Sequence, residues 1–154
     1  MPVDNPKAEL GGNKLPMHLW PSTATAQGCI AMLNGALKYG RDNFRVAGVD
    51  ASTYLAAAKR HLEAWGEGEE VDPVDGVHHL GAALACIALL VDGRALGFLN
   101  DDRRVGNPEA YRAFMDELTK EVPRLKEFYK DKDPRHFTIA DNDEWKNQRQ
   151  AGFR

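Results

Sequence analysis

VHHLGAALACIALLVDGRALGFL, residues 77–99, is apolar on almost every side of a helix. A helix of that kind belongs at the centre of a core, with neighbours on more than one face. Its unbroken apolar run, Leu80–Val91, is shorter than the about 20 residues that cross a bilayer, so it predicts a buried core helix and no membrane partner. The rest of the chain arranges itself around this segment.

Upstream, EEVDPVDG (69–76) is an acidic turn with proline at a β-turn position. Before it, STYLAAAKRHLEAWGEGE (52–69) reads as a second helix, capped by Asp50 or Ser52 and ended by Gly66 and Gly68. Tyr54, Ala58, His61 and Trp65 fall on one stripe of that helix. Earlier still, Ser22 or Thr23 can cap a helix through TATAQGCIAMLNGALKYG (23–40), with Ile30, Leu33 and Leu37 at helical spacing and Gly40 as its stop. Residues 1–21 carry four prolines and a Gly-Gly pair, which predicts an ordered arm or a loop and not a helix.

Downstream, NDDRRVGNPE (100–109) breaks the chain, and an amphipathic helix follows from about Pro108 to Lys130, with a bend at Pro123. The charged, weakly periodic tail beyond it predicts partial order. Strand-like alternation is almost absent, so the fold class is all-α. The expected organisation is an arm over 1–21, a helical core over 22–100, and a C-terminal helix with a polar tail over 101–154.

The chain has 154 residues, 43% hydrophobic and 28% charged, the composition of one ordinary globular domain. A formal net charge of −3 and scattered cations make no basic stripe, which argues against a nucleic-acid partner. Cys29 and Cys86 each sit in an apolar run and read as small buried hydrophobes of a reducing compartment. The polar N-terminus has no secretory pattern, and a cytoplasmic location is expected.

Chemistry concentrates at one end of the predicted helix pair. A short turn makes the helices at 52–69 and 77–99 antiparallel. Glu63 and Glu67, four apart, share a helical face there; Glu69, Glu70, Asp72 and Asp75 follow in the turn, and His78 and His79 open the next helix. Clustered carboxylates repel unless solvated or neutralised, and a divalent cation such as Mg²⁺ or Mn²⁺ is the usual neutraliser. Lys38, Arg41 and Arg45 precede the second helix, and Lys59 and Arg60 lie on it. A carboxylate–metal cluster facing cations suits a polyphosphate. The plain alternative is a solvated acidic turn on a helical binding or regulatory module. A metal hydrolase built on an adjacent His-Asp pair finds no such pair here, since the chain offers His78-His79 and Asp101-Asp102.

NPKAELGGNKLPMHLWP (5–21), GALKYGRDNFR (35–45) and RHLEAWGEGEEVDPVDGVHHLGAALAC (60–86), in that order, resemble the phage dATP/dGTP diphosphohydrolase family. That family is related to the all-α, MazG-type nucleoside triphosphate pyrophosphohydrolases. The resemblance implies a MazG-like helical bundle, completed as a homodimer or homotetramer. It implies metal-dependent cleavage of a purine deoxynucleoside triphosphate, dGTP above dATP, into the monophosphate and pyrophosphate. It also implies Glu63 and Glu67 as catalytic carboxylates, and Glu63, Glu67, Asp72 and His79 as ligands of Mg²⁺ or Mn²⁺. Lys14, Trp20, Lys38, Arg41, Asn43 and Arg60 are the expected substrate contacts, with Trp20, His18 or Tyr39 able to stack on the purine. MazG-type enzymes carry E-x-x-E and E-x-x-D pairs; this chain has E-x-x-x-E at 63–67, His79 at the next helix start, and Ala82 where a second acid is expected. Asp72, Asp75, Glu69 and Asp92 are all available to complete the ligand set.

Overall fold

The computed structural model describes residue 7 and residues 11–142, and the chain divides into two compact units, residues 1–103 and 104–154. The fold is all-α apart from one two-residue strand pair. In the first unit α1 (Ser22–Tyr39), the short α2 (Asn43–Ala47), α3 (Ala51–Gly66) and α4 (His79–Leu96) follow one another. β1 (Val49–Asp50) and β2 (Leu99–Asn100) pair in parallel, Val49 with Leu99 and Asp50 with Asn100. The second unit contains α5 (Pro108–Phe128) and a 3-10 turn at Ile139–Asp141.

α4 is central, as its composition requires, and packs against both α1 and α3. Small residues allow this. Gly81, Ala83, Ala85 and Gly93 are buried, and a Cβ on Gly81 would lie 2.8 Å from the Gln27 carbonyl oxygen of α1. At Gly93 it would meet Val49 Cγ2 at 2.8 Å, so β1 crosses α4 in direct contact. The buried core is correspondingly thin: Val49, Ala51, Ala58, Val77, Ala83 and Ala85 are its apolar members. Ile30, Leu33 and Leu37 of α1 and Val91 of α4 remain more than half exposed. With 18 residues and a mean hydropathy of 1.5, α4 does meet the length and composition of a membrane-crossing helix, longer than the run read from the sequence. Here it lies against two other helices, and Asp92 on it takes a two-pronged ion pair from Arg45, with Nη2 3.0 Å from Oδ2.

The caps differ from expectation in instructive ways. Ser22 is the first helical residue of α1, not its cap, and the chain turns in at Pro21. Asp50 does not cap α3; its carboxylate accepts from Asn100 Nδ2 at 2.7 Å. The cap comes instead from Asp102, which accepts from the backbone N–H of Ser52 at 2.7 Å and from the Ser52 hydroxyl. α4 begins at His79, and His78 is its cap, Nδ1 accepting from Leu80 N at 3.1 Å. α4 ends at Gly97 in the left-handed region, so the helix stops short of Leu99. Lys7, Gly11 and Gly12 are helical, whereas the glycine pair argued for loop throughout the arm.

Candidate functional site

The acidic turn folds back on itself and is more than a solvated corner. Val71 and His78 form an antiparallel bridge, Asp72 N–H donates to the Val77 carbonyl at 2.9 Å, and His79 N–H donates to the Glu70 carbonyl at 3.0 Å. Gly76 closes the turn at φ +72, a conformation a side chain would strain. This fold-back brings the turn's carboxylates to the histidines. Glu69 Oε1 lies 2.8 Å from His79 Nε2, and Glu70 Oε2 lies 3.1 Å from His78 Nε2. Asp72 Oδ1 is fixed by the Val74 N–H at 2.8 Å, which leaves its second oxygen available.

His79 is buried, and its Nδ1 lies 2.9 Å from Nδ1 of His61, which arrives from the apolar stripe of α3. Donor and acceptor complementarity sets the tautomers. The Glu69 carboxylate only accepts, so His79 Nε2 carries the proton and His79 Nδ1 presents a lone pair. With no metal bound, His61 Nδ1 is then the donor to that lone pair and its own Nε2 presents another; a metal held by both rings would displace this hydrogen bond. Burial and the neighbouring His79 hold the His61 pKa below the ordinary imidazole value, which keeps that lone pair open at neutral pH. One ligand atom each from His61, Asp72 and His79 lies within 4.8 Å of the others.

Two imidazoles and a carboxylate fit a divalent transition metal, and they suit Mn²⁺ better than the all-oxygen, water-rich shell that Mg²⁺ prefers. The Glu69–His79 contact supports the fit, because metal-bound imidazoles habitually donate their other N–H to a carboxylate.

His61 and Asp72 of this triad line a cavity of about 820 Å³ held between α1, α3, α4 and the turn before α2. His61, Asp72 and Asp75 line one part of it, and Lys38, Arg41 and Asn43 another. Tyr39, Phe44 and Tyr54 supply aromatic surface. Gly40 ends α1 at φ +93, and Asp42 adopts φ 57, the one positive value outside glycine among the described residues. These two positions fold KYGRDN back over the cavity. Lys38 Nζ is not loose: it sits 2.7 Å from Asp75 Oδ2, which also accepts from Asn34 Nδ2 at 2.8 Å, one helical turn earlier. These donors, with the Val77 N–H, lower the Asp75 pKa to about 2, and the carboxylate raises that of Lys38. Arg41 is largely exposed and, among the described residues, pairs with its neighbour Asp42 at 3.3 Å.

Of the residues singled out in the sequence, Asp72, Lys38, Arg41 and Asn43 therefore line one cavity, and His79 reaches it only through His61, against which it packs. Glu63 and Glu67 do not join them. Both are exposed; Glu63 lies two residues from His61 and so on another face of α3, and Glu67 is the residue that ends that helix. Arg60 is exposed and does not line the cavity, and Lys14 stands exposed in the arm. Trp20 is also outside the lining, its indole N–H given to Thr25 Oγ1 at 2.9 Å. Asp92, available as a further ligand in the sequence, is taken by Arg45. His61 was legible only as part of an apolar stripe, and Asn34 carried no signal at all.

A family model described as dATP/dGTP diphosphohydrolase, N-terminal, matches residues 4–103, and the chain belongs to that family. The matched span coincides with the first compact unit, which contains the whole cavity. No curated protein and no solved structure matches the chain.

Proposed function

From this family membership we propose that the protein hydrolyses a purine deoxynucleoside triphosphate, dGTP above dATP, to the monophosphate and pyrophosphate, with a divalent metal. The observation that carries the reading is the cavity itself: His61 and Asp72, with His79 behind them, share with Lys38, Arg41 and Asn43 the lining of a space large enough for a nucleotide. The expected setting is phage nucleotide-pool metabolism in the host cytoplasm.

His61, Asp72 and His79 would hold the metal, Mn²⁺ in preference to Mg²⁺. A metal bound there supplies charge to the triphosphate and makes water a better nucleophile at neutral pH. Glu69 keeps the His79 ring in place through Nε2. Asp72, with one oxygen tied to Val74, would give the other to the metal, and the proton of the attacking water passes to solvent. The new bond joins the water oxygen to the α-phosphorus, and the bond to the α–β bridging oxygen breaks, so the electron pair leaves with pyrophosphate. Lys38 and Arg41 receive that charge, Arg41 in two-pronged fashion. Asn43 gives a neutral hydrogen bond, and Tyr39, Phe44 and Tyr54 offer the purine a flat face. Glu63 and Glu67 enter the chemistry only if a bound substrate or another copy of the chain draws them to it.

The test is product separation by anion exchange after incubation with each canonical dNTP and Mn²⁺, Mg²⁺ or EDTA. A purine monophosphate and pyrophosphate, formed only with metal and fastest with Mn²⁺, is the expected result. No turnover in any condition overturns the reading in favour of a helical binding module.

A further inference from the structure

α5 lies outside both the cavity and the span matched by the family model, and it carries a pattern of its own. Tyr111, Met115, Leu118, Val122, Leu125 and Tyr129 recur at intervals of four, three, four, three and four residues. That is the heptad seam of a coiled coil, sustained over a 21-residue helix and the residue beyond it. Among the described residues the seam is uncovered: these six residues are 43–64% exposed. The opposite face is charged, with Lys120–Glu117 and Lys130–Glu127 ion pairs one turn apart, and Glu121 at the edge of the seam pairs with Arg124. Pro123 falls on that outer side and leaves the apolar repeat unbroken.

We infer that α5 pairs with α5 of a second copy of this chain as a parallel, two-stranded coiled coil. Composition bears on the partner number: Met115, Val122 and Tyr129 occupy the a positions and Tyr111, Leu118 and Leu125 the d positions, with Val122 between the two leucines at the centre. A β-branched residue at a with leucine at d favours two strands. Charge selects the orientation. In parallel register Glu121, at g, faces Lys126 of the second copy, at the following e. An antiparallel pair would instead bring Arg112 and Lys126, both at e, against each other. Phe114 and Phe128, also at g and both exposed, widen the seam on the side that the second helix would cover.

Sedimentation equilibrium of the full chain tests this. The expected mass is twice the 17.1 kDa of one chain, or a higher even multiple. Leu118→Gln with Leu125→Gln keeps good helix formers and should halve the mass, while the far-UV melting transition of the first unit stays in place. Glu121→Lys alone should raise the dissociation constant by about three- to fivefold, as two surface-sized ion pairs are lost, and adding Lys126→Glu should reverse that. A monomer at every concentration overturns the inference, as does an oligomer whose mass ignores both glutamines. A dimer lost with the glutamines but indifferent to Glu121→Lys overturns the parallel register.

Discussion

One wall of the cavity is built in advance, and the wall opposite it is not. On the histidine wall, His79 is buried with its Nε2 held by Glu69 and its Nδ1 turned to His61, and Asp72 has one oxygen fixed. On the cation wall, Lys38 is the one cation of the lining that a carboxylate from another element holds among the described residues, and Arg41 faces solvent. A metal needs ligands within a few tenths of an ångström, which only a packed, hydrogen-bonded shell supplies. A triphosphate arrives with its own charge and flexibility, and long cationic side chains can close on it. The difference teaches that ligand order here follows from burial, and substrate order from charge.

Substitutions on the histidine wall should therefore cost most. His79→Ala removes a buried ligand and leaves Glu69 and His61 without their partner. Calorimetric titration should find no Mn²⁺ binding, and turnover should fall to background. Glu69→Gln keeps the size of the side chain but weakens the grip on the His79 ring, and should lower metal affinity about 10–100-fold. On the cation wall, Lys38→Ala should raise KM by roughly tenfold and leave kcat nearly unchanged, since it removes one charge-assisted contact. An unchanged KM would remove Lys38 from the substrate's path.

The link between the walls has a pH signature. The folded-state pKa of Asp75, about 2, lies below its ordinary value of 3.8. Its bonds to Lys38, Asn34 and Val77 thus favour the folded state above about pH 4, and that contribution disappears as pH falls toward 2. Asp75→Asn should flatten this limb of an acid-unfolding curve without moving the neutral baseline by more than a few degrees. The smallest effect belongs to Glu63→Gln and Glu67→Gln, which should keep activity within about twofold, in line with surface positions. Abolished activity in either would return these carboxylates to the site and set the comparison aside.

How far the sequence led follows the same division. The all-α class and the central place of α4 were legible because a helix apolar on every side has few other destinations. The acidic turn and His79 stood out by residue type. His61 was missed because a histidine on an apolar stripe looks like packing until its neighbour is known. Glu63 and Glu67 stand out by their i, i+4 spacing, which puts two side chains on one face without saying which way that face points. The capping of α3 by Asp102 was beyond reach for another reason: its partner Ser52 is 50 residues away, and no local pattern encodes it. The same holds for the Asp75 grip on Asn34 and Lys38.

That distant cap has a kinetic consequence. Together with the Asp50–Asn100 contact and the Val49 N–H donated to the Phe98 carbonyl, it joins the two ends of the α3–α4 hairpin into a ring. Closing a loop of about 50 residues is entropically costly, so the clasp should form late in folding, after the helices have met. It should also open as one piece. The amides of Val49 and Ser52 are expected to exchange with deuterium at a common rate, in step with the last turn of α4, although one belongs to a strand and the other to a helix.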